Sequence, residues 1–202
     1  MAQVAHVDGA HAAEHFTSTG LDHRKILMWA FLGSDCMFFA TLVATYLIYK
    51  GRSKVGPFPH DVLDIPYTSV SAFVLLMSSV MMVLALAAIQ QGRMRAFRAW
   101  LLATAGLGSI FIAGQIYEFS YFVMEEGLNL TTNLFGASFF LTTGFHGTHV
   151  TIGILWLLGV FVMSHWQKWG PEKAKDVEMA GLYWHFVDIV WVIIFTVLYL
   201  VP

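Results

Sequence analysis

The chain has 202 residues, 57% hydrophobic and 12% charged, with a formal net charge of -2. Soluble domains carry about 25% charged residues, and the charges here are bunched, leaving long uncharged runs. The near-neutral balance gives no basic surface for nucleic acid. The lone Cys36 excludes an intrachain disulfide.

Residues 1–24 are small and polar and contain His6, His11, His15 and His23. They read as a flexible cytoplasmic tail, with a metal-binding tail as the sharper alternative. No basic stub followed by a short apolar core marks a cleaved leader. Residues 25–202 form the second unit. A hydrocarbon core of ~30 Å takes about 20 apolar residues per helix, and five runs qualify: 26–49, 67–91, 99–124, 134–165 and 177–201. None alternates in polarity as a barrel strand would. The predicted fold is all-α, a five-helix transmembrane bundle.

The connections are short, so consecutive helices are expected to be antiparallel neighbours. The longest, Lys50 to Pro66, holds Pro57, Pro59 and Pro66. Arg24, Lys25, Arg93, Arg95, Arg98, Lys168, Lys173 and Lys175 fall on one side of the membrane, and Lys50, Arg52 and Lys54 on the other. Positive charge favours the inside, so the N-terminus is expected in the cytoplasm and the C-terminus outside. Small residues recur at packing spacing, at Ala105, Ser109 and Ala113 and at Gly144 and Thr148.

Six ionisable residues lie inside these runs: Asp35, Glu118, His146, His149, His185 and Asp188. A charge at mid-bilayer costs at least ~2.5–3.5 kcal/mol, so such groups turn inward, pair, or go neutral. At 1.5 Å per residue, five of them share one mid-membrane slab, while Glu118 stands near the outer end of its helix. His146 and His149 are spaced i, i+3, as are His185 and Asp188. That spacing predicts a buried hydrogen-bonded cluster of His149, His185 and Asp188. A satisfied polar core is the plainest reading. A metal or haem site and a part in proton handling remain alternatives, as do a free-standing metalloenzyme and a proton-coupled transporter. Asp35, in Phe31-Leu-Gly-Ser-Asp-Cys-Met-Phe-Phe39, is either an acid bonded to Ser34 or a backbone carbonyl, or a proton-exchanging group beside a partner's proton path.

Four segments carry a resemblance. They are Thr143-Gly-Phe-His-Gly-Thr-His-Val150, Tyr183-Trp-His-Phe-Val-Asp-Ile-Val-Trp191, Gln115-Ile-Tyr-Glu-Phe119 and Ser34-Asp-Cys-Met-Phe-Phe39. Together they resemble subunit III of the haem-copper respiratory oxidases, in its short five-helix bacterial form, from about Arg24 to the C-terminus. The resemblance implies a multi-pass subunit of the cell inner (plasma) membrane with no catalytic residue, metal or cofactor of its own. It implies direct contact with subunit I, and a complex with subunit II and other small subunits, whose haem and copper reduce oxygen with electrons from cytochrome c. A quinol is the alternative donor. It further implies support of proton entry into subunit I, protection from turnover inactivation, and a bound phospholipid. The first two helices of longer members, which flank that lipid, have no counterpart here. Where mitochondrial members have glutamate, this chain has Asp35.

Overall fold

The computed structural model describes residues 23–50, 52, 64–125, 127–167 and 169–201. The expected tail lies outside the described residues except for His23 and Arg24, which already belong to the first helix. Most of the connection that follows that helix also lies outside them. Among the described residues there is no strand, and five helical spans are long and apolar enough to cross a membrane.

These are α1 (His23–Tyr49), α2 (Ile65–Gln90), α3 (Met94–Met124), α4 (Leu134–Trp166) and α5 (Ala174–Phe195). A 3₁₀ turn, Pro171–Lys173, leads into α5, and a π-helical segment, Thr196–Leu200, continues it. Local chemistry sets the ends. Asp64 caps α2 by accepting from Tyr67 N, with Pro66 in the first turn where no amide is missed. Asn133 caps α4, accepting from Gly136 N at 2.7 Å. α2 stops in a Schellman turn: Gly92 has φ 70, its amide bonds Ile89 O, and Arg93 N bonds Ala88 O. Only glycine takes that φ at no steric cost.

α2, α3, α4 and α5 enclose the core, and α1 packs outside them against α4 and α5. The expectation that successive helices are neighbours holds along α2–α3–α4–α5 and fails for α1, which is not packed beside α2. The long connection removes the constraint that a short loop imposes. α1 docks through one seam, Met28, Leu32, Asp35, Phe39, Leu42 and Tyr46, spaced alternately four and three residues apart. That spacing is the signature of a narrow coiled-coil stripe. The rest of α1 is largely exposed apolar surface, including Leu27, Trp29 and Met37.

The buried face of α3 repeats the same spacing: Leu101, Thr104, Gly108, Phe111, Gln115, Glu118 and Phe122. Of its small residues picked out by sequence, Ala105 turns inward while Ser109 and Ala113 face out. The centre of the bundle is Trp184 of α5, fully buried, whose Nε1 donates to Ser78 Oγ of α2 at 2.9 Å. Its ring fits between glycines on two helices. A Cβ at Gly108 of α3 would stand 2.6 Å from Trp184 Cη2, and one at Gly153 of α4 would stand 2.9 Å from Cε3. One large side chain thus touches three helices because two of them give up theirs.

Both ends are tied. At the end rich in basic residues, Arg24 pairs with Asp176 at 2.9 Å, Lys25 with Glu178 at 2.7 Å, and Arg98 Nε donates to Ser164 Oγ at 3.2 Å. At the other end Tyr46 OH donates to Leu198 O at 3.3 Å, and Lys50 Nζ donates to Val201 O. Lys50, just past α1, is held below the usual lysine range by its partial burial.

Candidate functional site

The six ionisable residues fall into four places. Asp35 on α1 meets His149 on α4, with His149 Nε2 at 3.6 Å from Asp35 Oδ2. This is an ion-pair distance and longer than a hydrogen bond. The level is mid-bundle: Asp35 is 12 residues from His23 and 14 from Tyr49, the two ends of α1. His149 Nδ1 lies 2.7 Å from Phe145 O. A carbonyl can only accept, so Nδ1 carries a hydrogen and Nε2 is the ring atom turned to Asp35. Phe38, Phe39 and Phe145 surround it. Ser34, one expected partner of Asp35, instead donates to Phe31 O on its own helix at 2.7 Å.

The predicted cluster of His149, His185 and Asp188 does not form. His185 and Asp188 share a face of α5, but that face meets α2. There Ser79 Oγ lies 2.5 Å from His185 Nδ1 and beside Asp188. The cause is rotation about the helix axis. Tyr183 of α5 turns to α4 at the level of His149, its hydroxyl donating to His149 O at 3.0 Å. His185, two residues on, is turned about 200° away, at about 100° per residue. Asp188 is 3% exposed and neither carboxylate oxygen has a hydrogen-bond partner.

His146 is fully buried and also makes no hydrogen bond. Its ring stacks on Trp191 at 4.9 Å between centroids, and Phe39 and Phe111 meet it edge-on. Although i, i+3 from His149, it points into the four-helix core while His149 points to α1. The four side chains weighed as metal ligands are therefore divided: His149 faces α1, His146 the core, and His185 and Asp188 face α2. Among the described residues no group of three or more His, Cys, Asp or Glu side chains converges.

Glu118 stands apart, as its depth suggested. It joins three elements: Thr68 of α2 donates to Oε1 at 2.8 Å, and Tyr199 of the π segment donates at 3.2 Å to Oε1 and 3.3 Å to Oε2. Sequence reasoning missed these hydroxyl partners, and Ser78 and Ser79 with them. The available signal was the Ser78-Ser79 pair within the otherwise apolar stretch 72–89 of α2.

The Asp35–His149 contact can be measured. Asp35→Leu and His149→Phe should each lower the thermal midpoint of the purified subunit. The double variant should cost less than the sum, by about 0.6–1.7 kcal/mol, the range for polar pairs between membrane helices. Strict additivity would show that the two side chains do not sense each other.

Comparison with known proteins identifies the family. The family model described as cytochrome c oxidase subunit III matches residues 1–201. The chain is 36% identical over 172 residues to the quinol oxidase subunit 3 of Bacillus subtilis (strain 168), covering 85% of this chain and 84% of that one. It is 36% identical over 191 residues to the cytochrome c oxidase subunit 3 of Thermostichus vulcanus, covering 94% and 90%. It is also 36% identical over 174 residues to the cytochrome bo(3) ubiquinol oxidase subunit 3 of Pseudomonas putida, covering 85% and 83%. With five membrane-spanning helices and a match running almost end to end, the chain belongs to the cytochrome c oxidase subunit III family, as a multi-pass membrane subunit of a haem-copper oxidase.

Proposed function

We propose that the chain is the subunit III of its oxidase that holds no redox centre, set in the plasma membrane with its N-terminus in the cytoplasm. It binds subunit I directly, within a complex that also contains subunit II and small subunits. Haem and copper belong to the partners, and subunit III sustains proton uptake by subunit I and keeps it stable. The observation that carries this reading is the Asp35–His149 pair. It places an acid and an imidazole together at mid-membrane on α1, the least covered of the five spans, where a neighbouring subunit can reach it. The buried Glu118, His146 and Asp188 and the half-buried His185 support the bundle that presents it. Bound phospholipid belongs to this reading as a contact of the apolar outer surface.

Cytochrome c is the donor in this proposal. A quinol is the second reading, favoured by relatives named as quinol oxidase subunits at the same identity. Oxygen consumption by the purified complex with reduced cytochrome c or with a quinol separates the two.

The test of the main reading is purification of the native complex through a tag on this chain. The expected result is co-purified haem and copper, and under about 0.1 metal per chain once the folded subunit is stripped away. Metal bound stoichiometrically to the stripped chain would overturn the proposal. So would a folded chain that never associates with a haem protein. Asp35→Leu should leave haem content unchanged and lower sustained turnover several-fold at alkaline pH, where protons are scarce. An unchanged pH profile would remove proton support from the role.

A further inference from the structure

Where α1 meets α5 the surface opens into a groove of about 360 Å³. One wall is the row Cys36, Ala40, Val43 and Leu47 of α1, spaced alternately four and three residues apart. The other is Val190, Ile193 and Ile194 of α5. Among the lining side chains only the Cys36 thiol carries a polar atom. Three residues past Leu47 the α1 row reaches Lys50, which stands over the end of the groove. Its Nζ donates to Val201 O, just past the π segment that continues the opposite wall. An ammonium has three hydrogens, so two remain for another acceptor. Arg52 follows, exposed, with its guanidinium carbon 6.0 Å from the centre of the Tyr49 ring. Neither cation has a carboxylate partner among the described residues.

The matching occupant is apolar along its length and anionic at one end. From Cys36 to Leu47 the wall runs about 17 Å at 1.5 Å per residue, close to the roughly 15 Å of hydrocarbon in one leaflet. Partial burial disfavours the charge on Lys50, and an anion beside it would offset that. A phospholipid supplies both parts, a tail for the groove and a phosphate for the cations. A helix is too thick: at 10–12 Å across, the same length of it fills about 1,300 Å³ or more. A second copy docked groove to groove in the same membrane orientation would set Lys50 against Lys50 at one depth.

We propose that this groove binds one acyl chain of an anionic phospholipid from the leaflet at the Lys50 end, with Lys50 and Arg52 on its headgroup. The proposal rests on the phospholipid contact named above and gives it a place and a charge. Asp35 and His149 meet on the α4 side of α1, so the lipid does not cover that pair.

The experiment reconstitutes the native complex in vesicles of phosphatidylglycerol and phosphatidylcholine, with a photoreactive group on the acyl chain of one lipid or the other, and maps the adducts by mass spectrometry. Photoreactive phosphatidylglycerol should mark residues 36–47 and 190–194 more strongly than Phe73, an exposed residue of α2. Phosphatidylcholine with the same chain should mark them at least fivefold less. Lys50→Gln, which keeps a donor for Val201 O, should lower the phosphatidylglycerol labelling about fivefold, the equivalent of about 1 kcal/mol for one cation near the membrane surface. Ala44→Trp, which fills the groove from an exposed position, should bring it down to the level at Phe73. Equal labelling by the two lipids, groove labelling no stronger than at Phe73, a crosslink from the groove to another subunit or a second copy, or no response to either variant would each overturn the site and leave the phospholipid contact standing. A complex that retains no phospholipid through a detergent wash would overturn both.

Discussion

Trp184→Ala should remove the folded subunit from the complex altogether. The indole is fully buried, fills the space left by Gly108 and Gly153, and bonds Ser78. Truncating it opens a cavity and strands the serine, for about 3–5 kcal/mol, against a total stability of about 5–15 kcal/mol. For a chain of this size that corresponds to a fall of roughly 6–20 °C in thermal midpoint. Gly153→Leu tests the same packing from the other side. Its new side chain must displace the ring, so it should destabilise by about 1–3 kcal/mol. Ile189→Ala, on the lipid-facing side of α5, is the control and should shift the midpoint little. A shift under about 2 °C for Trp184→Ala would show that the ring is not the wedge that joins the helices.

Glu118→Leu should be the next most damaging change, and how the loss divides is predictable. Thr68 has a second acceptor, Asp64 O at 2.9 Å, to which its hydroxyl can turn. Tyr199 OH donates to Glu118, with the Thr68 hydroxyl beside it. The cost is therefore dominated by one orphaned phenol and is about 2–3 kcal/mol. Adding Tyr199→Phe removes the orphan, so the double variant should recover about half of the loss. Glu118→Gln, which keeps an acceptor, should cost about 1 kcal/mol. Thermal midpoints of the four proteins decide it. A double variant as unstable as the sum of its parts would mean that the carboxylate holds the fold by some contact other than Tyr199.

The helices were legible because the bilayer sets their length. The runs expected at 26–49 and 134–165 became His23–Tyr49 and Leu134–Trp166. The largest error was at the start of α3, expected at Ala99 and found at Met94, because basic residues outside the hydrocarbon continue a helix that hydropathy cannot follow. The last span ends in a π segment, which no apolar count reveals. Depth was also legible: Asp35 and His149 meet, and Glu118 lies apart. Azimuth was not. Spacing of i, i+3 says that His185 and Asp188 share a face, but which neighbour that face meets depends on packing around all five helices. Tyr183 and Trp184, not the charged residues, set that rotation through Gly153 and Gly108. The place of α1 was hidden for a related reason. A long connection leaves the partner of a helix undetermined, and only the seam spacing of Met28, Leu32, Asp35 and Phe39 marks the side it buries.

That seam has a bearing on biogenesis. α1 is made before the two helices it packs against, so during synthesis its seam waits in the bilayer until α4 and α5 have been inserted. Throughout that interval Asp35 has no imidazole beside it, and a bare charge at that depth costs at least ~2.5–3.5 kcal/mol. A chain arrested before α4 thus displays an acid in the membrane with no partner, a mark by which unfinished copies differ from finished ones.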